Sequence, residues 1–323
     1  VKKEIKKILV TGALGQIGSE LTAALRSRFG TDNVVAADLR HPSPEHLADP
    51  GLFANVDVTD LDALERVIRM HDIDTIFHLA AILSASGERD PQRCWKTNMC
   101  GTFNVLELGV RYNMARILIP SSIAVWGKNA PLHGTPQDAM PKPGTMYGIT
   151  KVCGEMLGDY FVRRFDLDVR GLRYPGIISH ETPPTGGTTD YAVAIFYDAV
   201  AKGSYRCFVR EDTVLPMMYM PDAIRGTIQL AEADFSGLIH HTDFNIAAMS
   251  FSAGELAASI AMYVPGFKVS YEPDQRQEIA DSWPRSIDDS AARAEWGWQP
   301  EWDLDAMTRD MLENLRSKLA PER

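Results

Sequence analysis

The segment Ile8 to Gly18, ILVTGALGQIG, constrains this chain more than any other stretch. The apolar run Ile8-Leu9-Val10 reads as a buried strand, and Gly12, Gly15 and Gly18 follow at G-x-x-G-x-x-G spacing ahead of a helical run from Ser19 to Phe29. A strand, a glycine turn and a helix make a seat for phosphate. Gly12 permits the tight turn, Gly15 lets a pyrophosphate approach the backbone without meeting a Cβ, and Gly18 allows helix and strand to pack closely. The N–H groups of Leu14, Gln16 and Ile17 are then expected to point outward at the positive end of the helix dipole.

Glycine spacing alone is a weak signal in a chain with 24 glycines. Context strengthens it: about twenty residues after Gly18, Asp38 closes the apolar run Val34 to Ala37. A carboxylate there, followed by Leu39, would accept hydrogen bonds from both hydroxyls of an adenosine ribose. It would also repel a further ribose phosphate, so NAD is expected over NADP, and Arg40 reads as a solvated loop residue. Asn55 to Val58 reads as a third strand, with Asp57 placed to touch an adenine amino group and Val58 beside the ring; Asp57 or Thr59 capping the next helix is the other reading.

Helical spacing of Leu61, Leu64, Val67 and Ile68 predicts an amphipathic helix from Asp60 to Met70. A fourth strand, Asp74 to Ala81, ends in Leu79, Ala80 and Ala81, and small residues at a strand's carboxyl end suit a cofactor running over it. A long helical pattern from Asp90 to Tyr112 carries Asn98 at mid-length, where a mediocre helix former is either a buried kink near a site or a surface residue. Arg116 to Pro120 is a fifth strand, leading into Ser121-Ser122. The alternation predicts an α/β fold built on a doubly wound parallel sheet, with ligands at the carboxyl ends of its strands.

Tyr147 and Lys151 lie one turn apart on a helix expected from Gly148 to Phe165. Together with a cationic nicotinamide, the ammonium would favour phenolate and make Tyr147 a general base. The formal net charge of −10 argues against nucleic acid and anionic membranes as partners, and no apolar run approaches the length of a membrane span. The amino terminus runs into the first strand without a signal-type segment, so a cytoplasmic location is expected, although a mature organellar form would read the same. Cys94, Cys100, Cys153 and Cys207 form no C-x-x-C pair and read as buried or half-buried thiols. His240-His241 reads as a surface pair, and no metal is expected.

The strings TGALGQIG, HLAA, PSSIAVWG and YGITK together resemble the extended short-chain dehydrogenase/reductase family, which includes nucleotide-sugar epimerases and dehydratases. The resemblance implies a Rossmann domain over residues 1–175, a smaller α/β substrate domain over 176–323 with the chain crossing back, and bound NAD. It implies a Ser-Tyr-Lys catalytic set in which alignment on Val125-Trp126-Gly127 places the hydroxyl at Ser122, with Ser121 the close alternative. It further implies that Arg173-Tyr174-Pro175-Gly176 packs against the nicotinamide, Tyr174 and Pro175 included. A homodimer is implied through a four-helix bundle of the helices bearing Asn98 and Tyr147.

Three stretches of the second half, Gly186 to Ala192, Leu215 to Met220 and Pro273 to Pro284, look like the short-chain type of L-threonine 3-dehydrogenase within that family. That resemblance implies oxidation of the L-threonine β-hydroxyl to 2-amino-3-oxobutyrate, with NAD as acceptor and no metal. A threonine site needs a few hydroxyl and N–H donors and an apolar lid. Ser84, Ser121, Thr188 and Thr189 are candidate donors beside Tyr147, Trp283 is a candidate lid, and Gly186-Gly187 a candidate hinge. Thr188 and Thr189 capping the next helix, and Trp283 as core, remain the alternative readings. A nucleotide-sugar epimerase is the rival function; a dehydratase would carry Asp-Glu where Ile123-Ala124 stands.

Overall fold

Ile8, Leu9 and Val10 are wholly buried, as strands must be when helices cover both faces of a parallel sheet. The structure, a computed structural model, describes residues 4–42, 51–184 and 187–319. Strands β1 (Ile8–Thr11), β2 (Val34–Asp38), β3 (Phe53–Asn55), β4 (Thr75–His78) and β5 (Arg116–Leu118) alternate with helices α1 (Gln16–Phe29), α2 (Leu61–Met70), α3 (Ser84–Arg89), α4 (Pro91–Trp95) and α5 (Gly101–Arg111). The short β6 (Ser121–Ser122), the long α6 (Met146–Phe165) and β7 (Val169–Arg170) complete the first half. The central sheet is parallel with order β3-β2-β1-β4-β5-β7. Its order reverses between β1 and β4, and the crevice above their carboxyl ends is where a ligand sits in such sheets.

Beyond β7 the chain makes β8 (Leu172–Tyr174), β9 (Gly176–Ile178), α7 (Tyr191–Lys202), β10 (Ser204–Cys207), β11 (Val214–Tyr219), α8 (Met220–Glu232) and β12 (Phe244–Asn245). The remainder is β13 (Met249–Ser252), α9 (Ala253–Tyr263), β14 (Lys268–Tyr271), α10 (Arg276–Ala280), α11 (Ser290–Trp296) and α12 (Leu304–Leu319). β6, β8 and β12 pair in parallel, so the strands carrying Ser121-Ser122 and Arg173-Tyr174 lie side by side. One sheet face is buried with Leu21, Leu25, Ala223, Leu230, Trp296 and Trp298, and the other with Leu64, Ile68, Val105, Leu108 and Phe161. A third cluster gathers α7, α9 and α12 around Phe196, Leu256 and Leu312, and reaches Trp126 and Trp283.

Several boundaries differ from those expected. β3 lies two residues early because Asp57 accepts from the Thr59 N–H in a turn, and the cap of α2 is Asp60, which accepts from Ala63 N–H at 2.9 Å. The expected helix 90–112 is three pieces, with a π-helical turn at Lys96–Cys100 that contains Asn98. Cys100 is exposed, not buried or half-buried. His240 and His241 are half-buried: the first pairs with Glu295 and the second stacks on Phe235. Among the described residues no group of His, Cys, Asp and Glu could hold a metal ion. Nor is any described helix long and apolar enough to cross a membrane.

Candidate active site

The glycine loop is shaped by contacts that leave no room for side chains. Gly12 has φ of 70°, and a Cβ there would stand 2.6 Å from the Ala80 backbone nitrogen; one on Gly18 would stand 2.1 Å from the Gly12 carbonyl oxygen. The turn therefore packs down on the end of β4, and α1 starts at Gln16, three residues earlier than expected, with Gly15 at its cap position and no side chain on the first N–H groups. These groups suit a bound anion. The Leu14 N–H does not join them: it donates to Asp38 Oδ2 at 3.0 Å.

Asp38 is buried at the end of β2, in register with Asn55 of β3. Its carboxylate also accepts from the Arg40 N–H at 3.0 Å and from Arg40 Nε at 3.2 Å, while Arg40 Nη2 donates to the Leu14 carbonyl at 2.7 Å. Arg40 is a solvated loop residue, as expected, and it also clasps Asp38 and the glycine turn. The other residues expected there lie outside the cleft lining. Leu39 and Asp57 are exposed, and Val58 is buried against Gly101 with its carbonyl accepting from Asn104.

A cleft of about 220 Å³ runs from Gly12, Gly15, Gln16, Ile17 and Gly18 past Leu79, Ala81, Tyr174 and Pro175. It reaches Ser84, Ser121, Ser122, Tyr147, Lys151, Gly187, Thr188, Thr189 and Trp283. Most of the residues picked out in the sequence meet here. Ala80 buttresses Gly12 from beneath, and Gly186 lies outside the described residues. Tyr174 contributes to the wall, but its hydroxyl turns away to bond Thr227 on α8. Thr188 is buried with its hydroxyl 3.4 Å from that of Ser84, and α7 is led by Asp190, so neither threonine is the residue at its cap. Trp283 is both core and wall.

Helix α6 positions the chemistry. Thr145 caps it by accepting from the Gly148 N–H at 3.1 Å, which puts Tyr147 in the first turn. Gly148 lies so close to the Ala124 carbonyl that a Cβ would come within 2.2 Å, and the helix start is thereby pressed against the turn after Ser122. Ser122 lines the cleft with Tyr147, its hydroxyl accepts from the Ala124 N–H at 3.2 Å, and its influence on the phenol is to favour the phenolate. Ser121 instead donates to Glu155. The Lys151 Nζ donates to the Pro120 carbonyl at 2.6 Å and stands 5.5 Å from the centre of the Tyr147 ring.

Burial dominates the electrostatics of this cleft. It pushes the Tyr147 phenol up to about 12 and pulls the Lys151 ammonium down to about 8. The expected lowering of the phenol by the neighbouring ammonium is not seen in the chain alone, because desolvation penalises both charged forms. Asn98 is buried at the π-turn: its Oδ1 accepts from the Ile82 N–H at 2.8 Å, and its Nδ2 donates to Thr150 Oγ1 at 3.0 Å and to the Ile82 carbonyl at 3.1 Å. It ties the β4 loop to α6 and does not line the cleft.

Sequence reasoning missed Glu155, and it put Arg173 in the segment against the nicotinamide without its partner: the two are a buried bidentate pair joining α6 to β8, with Nε to Oε1 and Nη2 to Oε2 both at 2.9 Å, and Arg173 is not in the cleft wall. The signal was present: Glu155 stands one turn beyond Lys151 and two beyond Tyr147, on one face of the helix.

Residues 8–247 match the model of the NAD dependent epimerase/dehydratase family. The chain is 45% identical, over 97% of its length and 98% of the relative's, to an uncharacterized epimerase/dehydratase of Staphylococcus saprophyticus. It is also similar to the crystal structure of an L-threonine dehydrogenase from Clostridium difficile (TM-score 0.95, 48% identity, covering 98% of this chain and 99% of that one). A monomeric L-threonine 3-dehydrogenase from a metagenome superposes with TM-score 0.93 at 48% identity, covering 96% and 99% of the two chains.

Proposed function

Because this chain belongs to the NAD-dependent epimerase/dehydratase family, we propose that it is an oxidoreductase converting L-threonine and NAD⁺ to 2-amino-3-oxobutyrate, NADH and a proton. The carrying observation is that Ser122, Tyr147 and Lys151 line one cleft together with the glycine turn Gly12-Gly15-Gly18 and the hydroxyl-bearing Ser84, Thr188 and Thr189. The residues fit a dinucleotide. The glycine turn leaves backbone N–H groups uncapped where a Cβ would intrude, and Asp38 sits beside it as an acceptor for ribose hydroxyls. When bound, the oxidised dinucleotide supplies the hydride acceptor and a second positive charge beside Tyr147.

In this mechanism Tyr147 takes the proton of the threonine β-hydroxyl as general base. Ser122, which lines the cleft with Tyr147, orients that hydroxyl. Lys151, anchored on the Pro120 carbonyl, holds ribose hydroxyls and lends its charge to the phenolate. Ser84, Thr188 and Thr189 offer hydroxyls to the amino acid's carboxylate and ammonium, and Trp283 closes the apolar side around its methyl. Ser121 is left as a supporting residue because its hydroxyl is already given to Glu155.

The test is absorbance of NADH on mixing the protein with L-threonine and NAD⁺, alongside serine, 2-hydroxyacids and nucleotide sugars. Net NADH from threonine is expected, and kcat for Tyr147→Phe should fall about 10²- to 10⁴-fold while NAD⁺ binding is kept. No NADH from threonine, with interconversion of a nucleotide sugar, would make the protein an epimerase instead.

A further inference from the structure

A second, smaller cavity of about 20 Å³ adjoins the cleft through Ser121 and Lys151 and is also lined by Glu155, His78, Asn98 and Thr150. Glu155 is the one carboxylate in its wall. Its Oε1 accepts from the Ser121 hydroxyl and from Arg173 Nε, and its Oε2 from Arg173 Nη2. Arg173 is itself fixed, donating from Nη1 to the Gln137 carbonyl at 2.8 Å and to Asn245 Oδ1 at 3.1 Å, with its guanidinium 5.0 Å from the centre of a Trp126 ring. A buried carboxylate held on both oxygens by a fixed guanidinium cannot swing.

We propose that Glu155 is a positioning residue of this active site: clamped by Arg173, it holds Ser121 and thereby the strand end that presents Ser122, and it supplies the negative charge that keeps the Lys151 ammonium protonated. The proposal deepens the reading of Tyr147, Lys151 and Ser122 as the catalytic group and rests on it. Strand and helix geometry support the first half. β6 is only Ser121–Ser122, so fixing Ser121 leaves Ser122 no freedom in which face it shows to Tyr147.

The charges around Lys151 support the second half. Burial pulls its ammonium down to about 8, and Glu155 is the larger of the two influences holding it up, Cys94 on α4 being the other. His78 on β4 is kept neutral by burial and adds no positive charge, and burial likewise favours the neutral Tyr147 phenol. Glu155 is in turn raised by burial and by Asp243, and is held as the carboxylate by Arg173 and Ser121.

The direct test follows the Lys151 Nζ resonance against pH in protein labelled with ¹⁵N-lysine, assigned by its loss in Lys151→Met, and needs neither threonine nor dinucleotide. In Glu155→Gln, and in Glu155→Gln/Arg173→Gln, which leaves no guanidinium stranded, the Lys151 midpoint should fall by about one pH unit or more. Glu155→Asp, which keeps the charge but withdraws it from Ser121, should leave that midpoint near the native one while lowering kcat about tenfold with little change in KM. A native midpoint in a folded Glu155→Gln variant, or failure of all three variants to fold, would overturn the proposal by making Glu155 a partner of Arg173 and nothing more. If the native protein fails to oxidise threonine while the Lys151 midpoint still moves, the substrate reading falls and the role of Glu155 stands.

Discussion

Burial sets the protonation of the groups around the cleft, and His78 shows the consequence most plainly. Its Nδ1 lies 2.8 Å from Thr11 Oγ1, its Nε2 is buried without a hydrogen-bond partner, and desolvation pulls its pKa down to about 3. The unfolded chain binds a proton there near pH 6.5, the folded chain only near 3, so stability present above 6.5 is lost as the pH falls through that window. Equilibrium urea melts between pH 7 and 4 should therefore show this histidine removing about 1 kcal/mol per pH unit, a slope that His78→Gln flattens. At this scale the meeting of Tyr147, Lys151 and the Ser121-Ser122 pair in one cleft was legible, because a tyrosine and a lysine four residues apart and a paired serine at a strand end each carry a chemical signature. The clasp of Arg40 on Asp38 was not, since nothing in the order of residues says that a loop side chain turns back to a carboxylate two positions earlier.

Among the elements, α6 sets the precision of the site and its first turn is the sensitive part. Thr145→Ala removes the acceptor for the Gly148 N–H and should cost about 1 kcal/mol of stability in a denaturant melt. Because Tyr147 lies in that turn, the same variant should lose more in kcat than in KM. The strand-helix alternation and the doubly wound sheet were legible in the sequence, since apolar runs and helical spacing report burial directly. Several ends were not: β5 stops at Leu118 and pairing resumes at Ser121, a break decided by which neighbour each strand meets, β7 for the first and β8 for the second. The π-turn around Asn98 was legible only as an odd residue in a helix; its role as a tie between the β4 loop and α6 depends on Thr150 and Ile82, which the fold brings to it.

At the scale of the whole molecule, α6 leaves Ile149, Met156 and Tyr160 exposed at helical spacing, and Trp95 and Phe103 are exposed on the neighbouring π-interrupted helix. We propose that this face pairs with a second copy as a four-helix bundle. Sedimentation velocity should then give about twice the 35.8 kDa chain mass, and Met156→Glu/Tyr160→Glu should return it to one. A single-chain mass for the native protein would place it with the monomeric metagenome relative instead.

The sequence by itself determined the doubly wound sheet, because apolar runs and helical spacing report burial locally. It put forward Gly12, Gly15 and Gly18 as a dinucleotide seat and Tyr147 and Lys151 as base and ammonium from backbone freedom at glycine and the spacing of one helix face. Only the tertiary structure decided that the Ser121 hydroxyl is given to Glu155, that burial drives the Tyr147 phenol upward, and that Glu155 pairs with Arg173. Those outcomes depend on desolvation and on contacts between residues far apart in the chain, such as Arg173 with Asn245 and Ser121 with Glu155, which exist only once the strands and α6 have packed.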